Sequence, residues 1–362
     1  MEIPSETLLS ILAFFVVIGP LIFFHELGHF LAARWNKVVV EEFGIGLPPR
    51  LLTLFKQGRT SFTLNALPLG GFVRPVGEDD PTVPGGLAGA SKRARIGVMA
   101  AGPGANVVIA FLLLALMFMT GAPEEAPGAR IAKVSAGSPA ALSGLQSGDV
   151  VTAIDDITLS STADLLPYIV THVGQVVIFT VTRGTEKLEI EVTPRKEPPD
   201  GEGPTGIQVE PVIVVRQYTF SQAILHSFDE IFRIVEQLFT LPLKLIRGEI
   251  RPDEMRYLRP VSVVGISELG GQAINTSIKS NELWPVVRLT AYISLALALT
   301  NLLPIPALDG GRILFILIEA VRGRRVDPQR ETIAHFVGFA LLLTAMLVFV
   351  FLDIVNPLVS RP

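Results

Sequence analysis

Apolar positions along this chain gather in long uninterrupted runs. Three of them, roughly 8–33, 96–120 and 335–352, reach the length of about 20 helical residues that crosses a hydrocarbon core. A fourth, roughly 286–308, carries Arg288 near its start and Pro304 and Pro306 near its end. It reads as a span whose last turn is broken. Between the second and third of these four runs the pattern changes. Residues 176–182 and 188–193 alternate, with turn residues between them, and 128–215 is expected to form a small β-rich domain with one or two helices. Its tail, EPPDGEGPTG, reads as a linker or long loop. Beyond it Phe228, Ile231, Phe232, Val235, Leu238 and Phe239 recur at helical spacing, with Asp229, Glu230, Arg233 and Glu236 between them. Such a helix lies either in a membrane interface or against protein.

Composition agrees with membrane spans: 49% of residues are hydrophobic and mean hydropathy is +0.50. The leading segment MEIPSETLL has two acids and no Lys or Arg, and no small-residue cleavage site follows, so the first run is expected to be a retained span. Nine Lys and Arg fall between residues 34 and 95, and five between 312 and 330. By the bias of basic residues towards short cytoplasmic loops, both loops are expected inside, with the termini and 128–215 outside. Trp35 and Trp284 then fall at span ends, where amphipathic rings sit. Net charge is −4 with no basic block, which argues against nucleic acid as a partner. The chain has no cysteine, so disulfides and thiolate metal sites are excluded.

The first run contains His25-Glu26-Leu27-Gly28-His29. Residues four apart on a helix share a face, so the two imidazoles can bind one Zn²⁺, and Glu26 is placed to take a proton from water there. Ionisable residues at the end of an apolar span are costly and mark function. A catalytic zinc needs a third protein ligand. His335 opens the last span, whereas His172 and His226 lie in or after the external segment, on the wrong side. Asp309, in NLLPIPALDGG, follows a Pro-broken stretch where freed backbone can line a wet cavity. It can offer the third ligand, or simply cap the helix that starts near Arg312.

At this point the chain resembles the bacterial site-2 proteases, intramembrane zinc metalloproteases with a PDZ domain. HELGH is similar to the zinc motif of that family, and NLLPIPALDGGRILF to its second signature. The resemblance implies Asp309 as third ligand and Asn301 as a residue that holds the substrate backbone or the developing oxyanion. AAGPGANVV, with Gly102, Pro103 and Asn106, resembles the second-span motif, and LPLGGFVRP a membrane-associated β-hairpin or loop. SPAALSGLQSGDVVTAID resembles the characteristic PDZ stretch. Only one PDZ-like domain fits, where some relatives carry two in tandem. A buried Asn in a span often only bonds a neighbouring helix, and Asn106 is read that way. Phe62 and Leu64 alternate with polar residues ahead of Gly70–Gly71, so this hairpin can offer an edge strand to an unwound substrate, or form a plain reentrant loop.

The expectation is therefore a polytopic α-helical membrane protein with four transmembrane helices and one inserted β-rich PDZ-like domain. Its parts are 1–127 (first two spans, zinc motif, hairpin), 128–215 (PDZ-like domain), 216–282 (interfacial segment) and 283–362 (last two spans and third ligand). His25, His29 and Asp309 hold Zn²⁺, Glu26 is general base and acid, Asn301 assists, and Leu69, Gly70, Gly71 and Asn301 contact the substrate. The resemblance implies an inner-membrane protease acting on a single-pass protein, such as an anti-sigma factor or a signal-peptide remnant, with the PDZ-like domain docking or filtering it. Two rivals are a PDZ receptor with a non-catalytic metal site and a metal transporter. An intact Glu26 argues against the first. The scarcity of carboxylates and His in the second and fourth spans argues against the other.

Overall fold

The computed structural model describes residues 6–78, 80–199, 201–250 and 260–356; the side chains of Glu6, Thr7, Pro68, Leu69 and Pro328 are outside what is described. The chain divides into two compact units. One comprises Met1–Thr120 with Tyr218–Pro362, and the other Gly121–Gln217.

The first unit is helical. Helix α1 (Glu6–Ala13) passes through a π-turn at Phe14–Ile18 into α2 (Gly19–Trp35), and α3 spans Lys92–Thr120. The stretches Leu8–Trp35, Lys92–Thr120 and Gln329–Val355 are long and apolar enough to cross a membrane. The remaining expected span is shorter and more polar. It forms α8 (Trp284–Asn301), which stops seven residues before the apolar run ends, because Pro304 and Pro306 cannot continue it. The other helices described in this unit are α6 (Phe220–Ile246), α7 (Val263–Ser280), α9 (Asp309–Arg322) and α10 (Pro328–Val355).

Small residues let these helices approach closely. A Cβ on Gly28 would lie 2.3 Å from the Ala101 carbonyl oxygen of α3, and one on Gly271 would lie 2.9 Å from the Ser10 nitrogen of α1. The buried Asp353 of α10 accepts the Ser262 N–H at 2.7 Å, which answers an otherwise unsatisfied donor at the start of α7. The apolar stripe of α6 packs only in part: Phe228 meets Phe111 at 4.7 Å between centroids, while Phe232 and Phe239 are about three-quarters exposed, at 74% and 75%.

Between α2 and α3 the chain forms β1 (Val40–Gln57) and β2 (Thr60–Pro75). Residues 42–45 register with 61–64 on one side and with 71–74, running antiparallel, on the other. Residues 71–75 thus form an outer row, with no further strand paired beyond it among the described residues. Phe43 and Phe62 pack edge-on against Phe30 of α2 at 5.4 and 5.6 Å, fixing this sheet to the helix that carries the zinc motif. Buried Glu42 ties the rows together by accepting from the Thr63 hydroxyl at 2.8 Å and pairing with Arg50 and Arg74. Burial pushes its carboxyl up, but Thr63 and the two guanidiniums outweigh that and hold it below the usual carboxylate range.

The second unit is a sheet in the order β7-β6-β4-β3-β8, built from β3 (Ala122–Val134), β4 (Val150–Ile154), β6 (Val177–Arg183), β7 (Glu186–Val192) and β8 (Ile207–Arg216). The two-residue β5 (Ile157–Thr158) pairs with β4, and two short helices, α4 (Pro139–Ser143) and α5 (Leu165–Thr171), complete it. The unit begins at Gly121, earlier than the expected 128, because β3 pairs with β8 along most of its length. Residues 197–199 and 201–206 belong to this unit. Thr205 is buried and its carbonyl accepts the Ala140 N–H at 3.1 Å, so they do not act as a linker out of it. Asp149 takes a two-pronged bond from Arg183, at 2.7 Å each, and the Gln146 N–H at 2.9 Å. The Arg183 guanidinium outweighs burial and holds the Asp149 carboxyl below its ordinary range.

Candidate metal centre

Helix α2 presents His25 and His29 on one face, one turn apart, and α9 opens at Asp309. Ligand-capable atoms of these three residues all lie within 4.8 Å of one another. The Nε2 atoms of His25 and His29 are 3.1 Å apart, and Asp309 Oδ2 is 3.2 Å from the first and 3.4 Å from the second. Donors at about 2.0–2.1 Å from a tetrahedral zinc stand about 3.4 Å from each other, so this triangle has the size zinc requires.

The chemistry of the donors fits as well. His29 Nδ1 lies 2.8 Å from the buried Val98 carbonyl. That carbonyl can only accept, so the ring proton sits on Nδ1 and Nε2 offers a lone pair to the cluster. Asp309 Oδ2 is buried without a hydrogen-bond donor. Converging lone pairs repel one another, and a divalent cation is what satisfies them.

Asp309 reaches this point through an irregular stretch. After Asn301 the chain turns through Pro304 and Pro306, and Ala307 adopts φ 82°. The Ala307 N–H donates to His335 Nδ1 at 2.8 Å. A Cβ on Gly338, also on α10, would lie 2.3 Å from the Pro306 carbonyl oxygen. The last span thus braces the backbone just before Asp309. His335, the rival third ligand, lies outside the His25–His29–Asp309 group and bonds the loop instead. Glu319, ten residues beyond Asp309, is buried and paired with Arg95 at 2.6 Å and Arg325 at 3.6 Å. It therefore ties α9 to α3.

A cavity of about 300 Å³ opens beside the triangle, lined by His25, Glu26, His29, Phe72, Val73, Asn301 and Asp309 among others. Glu26 points at the outer row of the sheet. Its carboxyl group lies beside the Val73 backbone N–H, and a Cβ on Gly71 would lie 3.3 Å from Glu26 Cγ. Gly70 sits at φ 126°, a conformation L side chains rarely adopt. The Leu69 side chain lies outside the described residues. Asn301 lines the cavity, but its amide donates back to the Leu297 carbonyl at 3.0 Å. Asn106 was expected merely to bond a neighbouring helix. It is fully buried, and its side chain lies 3.3 Å from His25 Nδ1, in contact with the zinc-motif histidine itself. A polar residue three positions after Gly-Pro in a span was the available signal.

A family description, peptidase family M50, matches residues 13–345. A zinc metalloprotease RasP of Geobacillus kaustophilus is 29% identical, over 96% of this chain and 98% of its own length. A putative zinc metalloprotease of Clostridium perfringens is 33% identical, over 93% and 96%. The regulator of sigma-W protease RasP of Bacillus subtilis is 26% identical, over 95% and 98%. With a matched region spanning nearly the whole chain and a donor triangle of zinc dimensions, the chain belongs to peptidase family M50 and is a membrane-integral zinc metalloprotease of the site-2 type.

Proposed function

We propose that this protease hydrolyses a peptide bond in or near the membrane segment of a single-pass protein, in the manner of regulated intramembrane proteolysis. The observation that carries this reading is the outer row 71–75 beside Glu26. A helical substrate hides its carbonyls in its own hydrogen bonds, so it must be unwound before water can attack. An edge row with no further strand beyond it among the described residues can offer backbone groups to the unwound strand. Gly70 and Gly71 let that strand come close to Glu26.

His25, His29 and Asp309 would hold the zinc, which when bound polarises the scissile carbonyl and acidifies water. Glu26 takes a proton from the attacking water and gives it to the departing amide nitrogen, so water adds across the C–N bond and two chain ends result. Asn301 turns its amide from Leu297 towards the substrate carbonyl and donates to the charge that develops there. The name of the Bacillus subtilis relative, a regulator of sigma-W, supports an anti-sigma factor as the class of substrate.

In this reading α8 is a fourth span and the basic loops face the cytoplasm of the inner membrane. Gly121–Gln217 is a PDZ-like domain outside. The capped α4 (Ser138 accepting the Ala141 N–H at 3.2 Å), left-handed Gly144 and Gly148, and Asp149 support that assignment. Because the chain has no cysteine, single introduced ones report topology directly. Ser160→Cys is expected to react with an impermeant thiol reagent added to intact cells, and Thr82→Cys is not; the reverse pattern would invert the orientation.

The test of substrate class is capture on a Glu26→Gln variant in its native membrane, where single-pass proteins already shortened on the outer side are expected to accumulate. Capture of full-length proteins alone would contradict it. The Tyr218 N–H bonds the Phe118 carbonyl at 2.9 Å, so the chain leaves and re-enters the membrane unit at one place. Gly121–Gln217 can therefore be replaced by a short linker. If this domain filters by size, the shortened protein cleaves unshortened substrates and still cleaves shortened ones; loss of both activities in a folded variant means that it docks them.

A further inference from the structure

The two histidines of the zinc motif are not anchored alike. His29 has its tautomer set by a backbone carbonyl, whereas His25 Nδ1, among the described residues, meets a side-chain amide, that of Asn106. We infer that Asn106 is the positioning residue that sets the tautomer of His25 and thereby makes it a zinc ligand.

Asn106 sits on α3, one turn beyond Gly102. A Cβ on Gly102 would lie 2.3 Å from His29 Nε2 and 2.8 Å from His25 Nε2, so α3 runs directly against both rings. Its place is fixed from behind, where the buried Ser294 hydroxyl of α8 donates to the Asn106 main-chain carbonyl at 2.8 Å. The side chain is wholly buried, and with Nδ2 3.3 Å from His25 Nδ1, its Oδ1 has no hydrogen-bond partner.

A neutral imidazole carries one N–H. An amide that turned Nδ2 to Nδ1 would force the proton of His25 onto Nε2, and that nitrogen could not then bind a metal. A half-turn of the amide exchanges its oxygen and nitrogen. Oδ1 then accepts from Nδ1–H, and Nε2 is left with a lone pair directed at Asp309 and His29. The same half-turn pairs the otherwise unsatisfied oxygen.

The reading is tested by zinc affinity, measured by chelator competition on the purified full-length protein in detergent, alongside the melting temperature of the zinc-free form. Asn106→Leu keeps the branching at Cγ but cannot accept a hydrogen bond. It is expected to bind zinc about 10–100-fold more weakly, the range for loss of a group that orients a ligating histidine. Asn106→Asp can only accept, and is expected to bind zinc at least as tightly as the parent. A folded Asn106→Leu protein with parental zinc affinity would overturn the inference. So would an Asn106→Asp protein that binds as weakly as Asn106→Leu, since that would make the donor, not the acceptor, the part that matters. If Asn106→Leu does not fold, the Asn106→Asp affinity decides alone: parental or tighter binding upholds the role, and weaker binding refutes it.

Discussion

Asp309→Ala is expected to lower zinc affinity by at least about tenfold, and cleavage with it. Two histidines alone leave zinc short of the three protein ligands that catalytic sites use. Asp309 Oδ2 sits 3.2 and 3.4 Å from the two imidazole nitrogens, and among the described residues no other His, Asp or Glu joins that group. Its charge is also the nearest offset to the ion. The measurement is zinc content after dialysis against a chelator, with cleavage of a reconstituted single-pass substrate alongside. His335→Ala has a different expected signature. It removes the acceptor for the Ala307 N–H, so it loosens the loop that delivers Asp309 without removing a ligand. If His335→Ala loses zinc while Asp309→Ala binds it like the parent, the third ligand is His335.

Glu26→Gln is expected to retain about one zinc per chain and to lose cleavage by a factor of at least about 10², the lower end for removal of a general acid–base group. Glu26 is not one of the triangle's three members; it faces the cavity and the Val73 N–H. The amide of Gln keeps the shape and can still accept from Val73, but it cannot carry the proton between water and leaving nitrogen. Residual cleavage near the parental rate would remove Glu26 from the mechanism.

Much of this site was legible in the sequence because its signals are local. His25, Glu26 and His29 fall within one and a half helical turns, so spacing alone places them together. Pro304 and Pro306 announced broken helix ahead of Asp309, although bottom-up reading left ligand and cap as alternatives, and the resemblance favoured the ligand. Features that depend on distant pairings were less accessible. Nothing in the periodicity of 40–75 reveals that residues 42–45 are paired on both sides, which is what leaves 71–75 outermost. Asn106 looked like ordinary helix glue because its partner lies 81 residues away. His335 looked like a spare ligand because its bond to Ala307, 28 residues back, needs the loop's left-handed turn. The β-rich unit was visible, yet its start was placed late, since β3 opens with Pro and Glu and becomes a strand only by pairing with β8.

The most direct test of the account reads metal and chemistry on the same samples. Parent, Glu26→Gln and Asp309→Ala proteins are purified in parallel and placed in liposomes with a single-pass substrate, and zinc per chain and initial cleavage rate are determined for each. The account predicts zinc with cleavage in the parent, zinc without cleavage in Glu26→Gln, and neither in Asp309→Ala. Cleavage by Glu26→Gln at the parental rate, or full zinc and cleavage in Asp309→Ala, would contradict it.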